Sequence, residues 1–198
     1  GYEIKLAHGQ SGSEENSGTE PTEWHRWACT QKKPVVDIKP VFSDIPVVVK
    51  PENPFRVAED AEALLFVRVP MWIRVMLLGK PPTNLLEVPS VTLSKTWFGA
   101  FDQGDLCYWI SSGGRNHIEP DPGRPYMAIC PIRIIDKAPE DLNVQKICLR
   151  VPNLSLFWDG EQLWSDETVL TYAGKSEVSQ VRVTGEAPSA AGKVPLIS

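Results

Sequence analysis

Residues 64–78, LLFVRVPMWIRVMLL, carry the strongest periodic signal of the chain: Leu65, Val67, Val69, Met71, Ile73, Val75 and Leu77 are all apolar. Arg68, Pro70, Trp72 and Arg74 fall between them. Seven alternate matches in a row predict a β-strand, whose side chains point to opposite faces in turn. Pro70 cannot donate to a ladder, so the strand must bend there or sit at an edge or bulge. The pattern also predicts a row of Arg68, Trp72 and Arg74 on the face opposite the apolar stripe. The preceding 57–65, VAEDAEALL, has helix-forming composition, but it is short and runs straight into β-type residues. It reads as a turn leading into the strand.

Other runs follow the same logic. Val35–Ile38 and Val47–Lys50 are short and bounded by proline, Leu85–Leu93 is interrupted at Pro89, and Leu106–Ile110 is rich in aromatics. Residues 127–135 (MAICPIRII) and 143–151 (NVQKICLRV) flank DKAPEDL, which suggests a hairpin. Leu154–Trp158 and Gln162–Trp164 flank Asp159-Gly160, a tight-turn dipeptide. Thr168–Tyr172 and Val178–Thr184 complete the set.

Ten or more short strands with regular turn signals predict an all-β fold, a sandwich or a barrel. Eighteen prolines, scattered through the chain, exclude an all-α architecture, because each fixes φ and removes a donor. Closed barrels have no edges, whereas this chain places prolines along its strands, so the expectation is an antiparallel β-sandwich of immunoglobulin-like or jelly-roll type. Residues 1–23 contain GQSGSEENSGTEPTE and read as a mobile polar tail, and 185–198 is similarly thin in core-forming residues. A single sandwich domain over 24–184 is therefore expected, with 111–125 (SSGGRNHIEPDPGRP) as its best candidate for a functional loop.

Charge narrows the partners. Twenty basic against twenty-five acidic residues leave a net charge of -5, which argues against a nucleic-acid surface. No apolar run is long enough to span a membrane. Four widely spaced cysteines, Cys29, Cys107, Cys130 and Cys148, contain no C-x-x-C pair and predict thiols in a reducing, cytoplasmic compartment. A Cys130–Cys148 bridge conflicts with strand parity. Cys130 shares the face of Ile132 and Ile134, whereas Cys148 lies opposite Ile147 and Leu149.

Chemistry is sparse. Only His8, His25 and His117 are available as bases or ligands. His117 with Cys107 or Ser111 is the one nucleophile–base pairing on a shared segment, and it lacks any nucleophile-elbow signature. No ligand set fits zinc or calcium, so neither metal nor cofactor is expected. No phosphate loop precedes a helix. Asp102, Asp105, Glu161, Asp166 and Glu167 offer acids, but nothing in the sequence pairs them as a glycosidase would require. The aromatic stretch TWFGAFDQGDLCYW suggests a small-ligand or carbohydrate platform built from Trp97 and Trp109 with Asp102 and Asp105 as polar partners. Arg115 and His117 mark the 111–125 loop as a second candidate.

Four phrases, PVVVKPENPF at 46–55, FVRVPMWIRV at 66–75, DLCYWI at 105–110 and KICLRVPNLSLF at 146–157, together resemble an uncharacterised prokaryotic family of β-rich proteins, a domain of unknown function. The resemblance covers most of 24–184. It implies a prokaryotic, intracellular protein and no known activity. The sequence thus favours a non-catalytic binding protein that engages a protein partner or a second copy through Arg68, Trp72 and Arg74 or the 111–125 loop. A carbohydrate or small-ligand module on 97–109 is the alternative, and a hydrolase comes third.

Overall fold

Seventeen strands and two short 3-10 turns make up the described part of the chain, with no α-helix. The computed structural model describes residues 2–8, 23–30, 32–119, 121, 123–174 and 179–198. The strands are β1 (Tyr2–His8), β2 (Glu23–Cys29), β3 (Val35–Val41), β4 (Val47–Pro51), β5 (Phe55–Val57), β6 (Glu62–Pro70), β7 (Trp72–Leu78) and β8 (Thr83–Pro89). They continue with β9 (Ser94–Phe98), β10 (Asp105–Gly114), β11 (Met127–Asp136), β12 (Leu142–Val144), β13 (Ile147–Leu149), β14 (Leu156–Trp158), β15 (Leu163–Ser165), β16 (Thr168–Tyr172) and β17 (Gln180–Val183). No helix among the described residues is long and apolar enough to cross a membrane.

The chain divides into two compact units, 1–38 with 74–87, and 39–73 with 88–198. In the first, β1 and β2 form an antiparallel hairpin, with Ile4 opposite Trp27 and Leu6 opposite His25. Thus 2–8 form a strand where a tail was expected, while 9–22 lie outside the described residues. Most of a three-stranded sheet in the order β3-β7-β8 also belongs to this unit. There Arg74 donates through Nε to Glu87 at 2.7 Å.

The second unit is built on β11. This strand pairs with β6 along nine positions, from Met127 opposite Pro70 to Ile135 opposite Glu62. On its other edge it meets β15 through Ala128 and Ile129, then β16 from Ile132 to Asp136. Pro131 falls in the gap between these two partners, where a missing N–H breaks no ladder. Ala128, Ile129, Cys130, Ile132 and Ile134 are all buried, which fits a central strand covered on both faces. Fully burying each large aliphatic side chain contributes about 1.5–3 kcal/mol. The expected hairpin of 127–135 with 143–151 does not form, because β6 occupies one edge of β11 along nine positions and β15 and β16 share the other. Instead β12 pairs with β5, and β13 pairs with β4.

Nor are the sheets purely antiparallel: β10 runs parallel to β4, and β11 parallel to both β15 and β16. The Asp159-Gly160 hairpin forms as expected, joining β14 to β15, with Gly160 at φ 104°. The long apolar stripe splits at Met71 into β6 and β7, next to the proline that marks the bend. The far end of 185–198 is tied down rather than loose. Ile197 N–H donates to the Leu156 carbonyl at 2.7 Å, and Leu156 N–H to that of Ser198 at 2.8 Å. The core of this unit joins Val47, Val49, Tyr108, Ile110, Ile147 and Leu149 to Leu65, Val67, Val69, Ile132 and Ile134.

Candidate functional site

Strand parity places the site. On β6 the odd residues Leu65, Val67 and Val69 enter the core, so Phe66 and Arg68 project from the other face. β10 follows β4 through Tyr108–Ile110, shifts register, and brings Gly114 opposite Pro51. Arg115 then bridges to Phe66, with N–H···O distances of 2.7 and 3.1 Å. Two glycines permit this crossing. A Cβ on Gly114 would lie 3.1 Å from Val67 Cγ1, and one on Gly113 would lie 3.1 Å from Glu52 Cβ. The first residues of the expected 111–125 loop are therefore the end of a strand.

A cavity of about 730 Å³ opens at this crossing. Its apolar floor is Phe66, Ile118 and Ile129, which pack in a second cluster with Phe157 and Trp164. Trp109 also lines the cavity, and the Lys146 ammonium sits 5.9 Å from its ring. Lys50, Arg68, Arg115 and Arg124 face Glu52, Glu119 and Asp121, four cations against three carboxylates, with His117 beside them.

Ion pairs hold this rim in shape. Arg115 Nε lies 2.9 Å from Glu52, and its guanidinium also pairs with Glu119. His117 Nε2 is 3.0 Å from Glu119, and its Nδ1 is 2.9 Å from Asn116 Oδ1. Arg124 donates to Asp121 at 2.7 Å, and Arg68 donates to the Glu119 carbonyl. The hydrogen bond from His117 and the charge of Arg115 hold the Glu119 carboxyl below its ordinary value. Burial lowers the pKa of Arg68, with Asp121 acting against it, and a guanidinium keeps its charge through such a shift. Exposed pairs of this kind contribute little stability. Their effect is to fix the directions of the side chains.

A smaller cavity of about 390 Å³ shares Arg68, Asp121 and Arg124 with the first. It adds Pro125, Met127, Glu161 and Gln162. The last two are positioned by the Gly160 turn, where Asp159 Oδ1 accepts from the N–H of Glu161 at 2.8 Å and of Gln162 at 2.7 Å.

Of the residues singled out in the sequence, Arg68, Trp109, Arg115 and His117 meet at the larger cavity. The others do not. Arg68 stands in the six-stranded sheet, while Trp72 and Arg74 belong to the three-stranded one, so the expected row is absent. Trp72 packs against Tyr108 at 5.8 Å between ring centroids. Trp97 is about half exposed, and its indole donates to the Ala100 carbonyl at 3.0 Å. Asp105 is paired with Arg150 at 2.8 Å, and Asp102 is exposed on the 99–104 turn. The aromatic segment therefore forms no single platform, since Tyr108 is buried and Trp109 lines the cleft. Phe66 was legible as the residue sharing the face of Arg68, whereas the pairing that brings in Lys50 and Glu52 left no local signal.

Cys107 Sγ lies 3.8 Å from Cys148 Sγ, while both ring nitrogens of His117 are engaged by Asn116 and Glu119. Burial raises the Cys107 pKa and pushes Cys130 and Cys148 up to about 12, which keeps them as thiols. Asp166 accepts from the Ser155 N–H at 3.1 Å, and Glu167 accepts from Arg133 at 2.7 Å. No group of three or more His, Cys, Asp or Glu among the described residues is placed to hold a metal ion.

Fold and site together define an all-β protein with a mixed-charge, net cationic cleft. The chain belongs to the family described as Protein of unknown function (DUF432), whose model matches residues 3–197. No curated protein and no solved structure matches it.

Proposed function

We propose that this is a non-catalytic binding protein whose ligand is a small organic anion held in the cleft of Arg68, Arg115, His117 and Arg124. One observation carries the reading: the cleft gathers more cations than carboxylates in a chain whose net charge is -5. An apolar floor with a few convergent polar groups is also the usual make-up of a ligand site. The test is a thermal-shift and calorimetry panel of phosphates, carboxylates and nucleotides. A ligand at about 100 times its Kd adds about 2.7 kcal/mol. At this chain length that raises the melting temperature by roughly 5–10 °C. The double substitution Arg68→Ala with Arg124→Ala should weaken binding at least tenfold. A panel in which no anion moves the melting temperature would overturn the reading.

A second reading, engagement of a second copy, is favoured by one surface. Trp97 and Leu106 are cross-strand partners, and both are exposed, on or beside the outer strand β9 of the four-stranded sheet. Sedimentation tests it: a dimer dispersed by Trp97→Asp supports the reading, and a monomer at high concentration removes it. The larger unit also supports a β-sandwich of immunoglobulin-like or jelly-roll type, because its core draws on both the four-stranded and the six-stranded sheet. Four cysteines outside any disulfide favour a reducing, cytoplasmic compartment, and a prokaryotic setting rests on the resemblance of the four quoted phrases alone.

A further inference from the structure

The two cavities are not independent, because Arg68, Asp121 and Arg124 line both. The boundary between them is thus a saddle with two guanidiniums and one carboxylate, and that carboxylate is already bonded to Arg124. A guanidinium fork matches phosphate oxygens in geometry as well as charge. The compartments on either side differ in chemistry. The larger has the apolar side chains of Phe66, Ile118 and Ile129 with Trp109 beside them, which suit the face of a planar ring. The smaller sets the polar side chains of Glu161 and Gln162 beside the apolar Pro125 and Met127, which suits a group with hydroxyls and a C–H face. Volumes of about 730 and 390 Å³ are each within the range that small organic groups occupy.

We propose that the joined cavities take a nucleoside diphosphate sugar, with its diphosphate on the Arg68–Arg124 saddle, its base in the larger cavity and its sugar in the smaller one. The proposal rests on the anion-binding reading above and extends it from a charge to a ligand class. A diphosphate ester on the saddle has room to direct one substituent into each cavity, which is why a two-part ligand fits better than a simple anion. The Glu161 carboxylate of the smaller cavity would repel a second phosphate group, so that side calls for a neutral polyol.

Calorimetry on the full chain tests it with UDP-glucose and ADP-glucose, the matching nucleoside diphosphates, glucose 1-phosphate and inorganic phosphate. At least one intact sugar nucleotide should bind tenfold or more tightly than its nucleoside diphosphate and than glucose 1-phosphate. Glu161→Gln combined with Gln162→Ala should weaken the sugar nucleotide about tenfold and leave the nucleoside diphosphate within twofold. Unchanged melting of the variant without ligand confirms that it folds. Equal binding of the diphosphate with and without its sugar would overturn this proposal and leave the anion-binding reading standing. If no phosphate compound binds but a carboxylate does, the ligand class is wrong and the cleft is not. If no anion binds, both readings fall.

Discussion

Asp159 connects the fold to the smaller cavity, so its removal makes a demanding test. Its carboxylate accepts three hydrogen bonds: from the N–H of Glu161 at 2.8 Å, from that of Gln162 at 2.7 Å and from the Trp164 indole at 2.7 Å. In Asp159→Ala the two backbone donors lie at an exposed turn and return to water, so each loses only a modest net contribution. The indole is different, because Trp164 is buried and its N–H is left without an acceptor, which costs about 1–3 kcal/mol. The total should be about 2–4 kcal/mol, or a fall of roughly 5–15 °C in melting temperature. The pH dependence has a definite sign. Burial raises the Asp159 pKa, but the donors of Gln162, Glu161 and Trp164 outweigh it and hold the carboxyl below its ordinary value. A depressed carboxyl contributes stability that is present above its unfolded pKa of about 3.9 and is lost as pH falls through the folded value. Urea unfolding followed by tryptophan fluorescence should show a constant gap between the two proteins from pH 7 to about 5, narrowing as the pH falls below the unfolded value of about 3.9. A gap under 1 kcal/mol at pH 7, or one that persists undiminished in acid, would refute the role assigned to this carboxylate.

Three further outcomes follow from the packing. Ile132, with no exposed surface on the central strand β11, should destabilise the protein by about 2–5 kcal/mol when cut to Ala, and a shift under 1 kcal/mol in urea would mean the strand is not central. Trp72→Ala should lose about 2–4 kcal/mol, since its ring packs on Tyr108 and the core. Trp72→Phe should lose much less, because the buried indole N–H has no partner among the described residues; equal melting losses in the two variants would contradict this packing. Cys130, buried and pushed up to about 12, should stay unreactive to a disulfide reagent at pH 8 and react only on unfolding, so fast labelling of the native protein, located by mass spectrometry, would contradict its burial.

What the sequence disclosed was local. Alternation at 65–77 announces strands, and Pro70 marks where they part; Asp159-Gly160 announces a hairpin that forms as written. Both signals depend only on neighbours along the chain. The hairpin expected at 127–151 lost a competition between partners: DKAPEDL suits a loop between two strands, but a loop signal does not say which strands pair. MAICPIRII is apolar at nearly every position rather than at alternate ones, and that is the mark of a strand buried on both faces. Read that way, 127–135 belongs in the middle of a sheet, with partners far away in sequence. Pro131 would then have seemed an objection, and the structure shows how it is met: the proline stands where β15 ends and β16 has not yet begun.

The site shows the same division more sharply. Alternation marks Arg68 by its face, and Arg115 and His117 stand out in their loop, yet nothing in the sequence joins them, because the link is a single bridge between Phe66 and Arg115. That bridge depends on Gly113 and Gly114, whose lack of side chains lets β10 pass between Glu52 and Val67. In the sequence SSGG reads as a slack loop, since glycine is as common in turns as at close crossings. The distinction lies in what a Cβ would strike, and that is a property of the packed structure. Trp72 fails for a related reason: parity carried it to an outer face, but the break at Met71 transfers the chain to another sheet, where the indole turns onto Tyr108. A periodic pattern determines which side chains share a face only as long as the strand remains in one sheet.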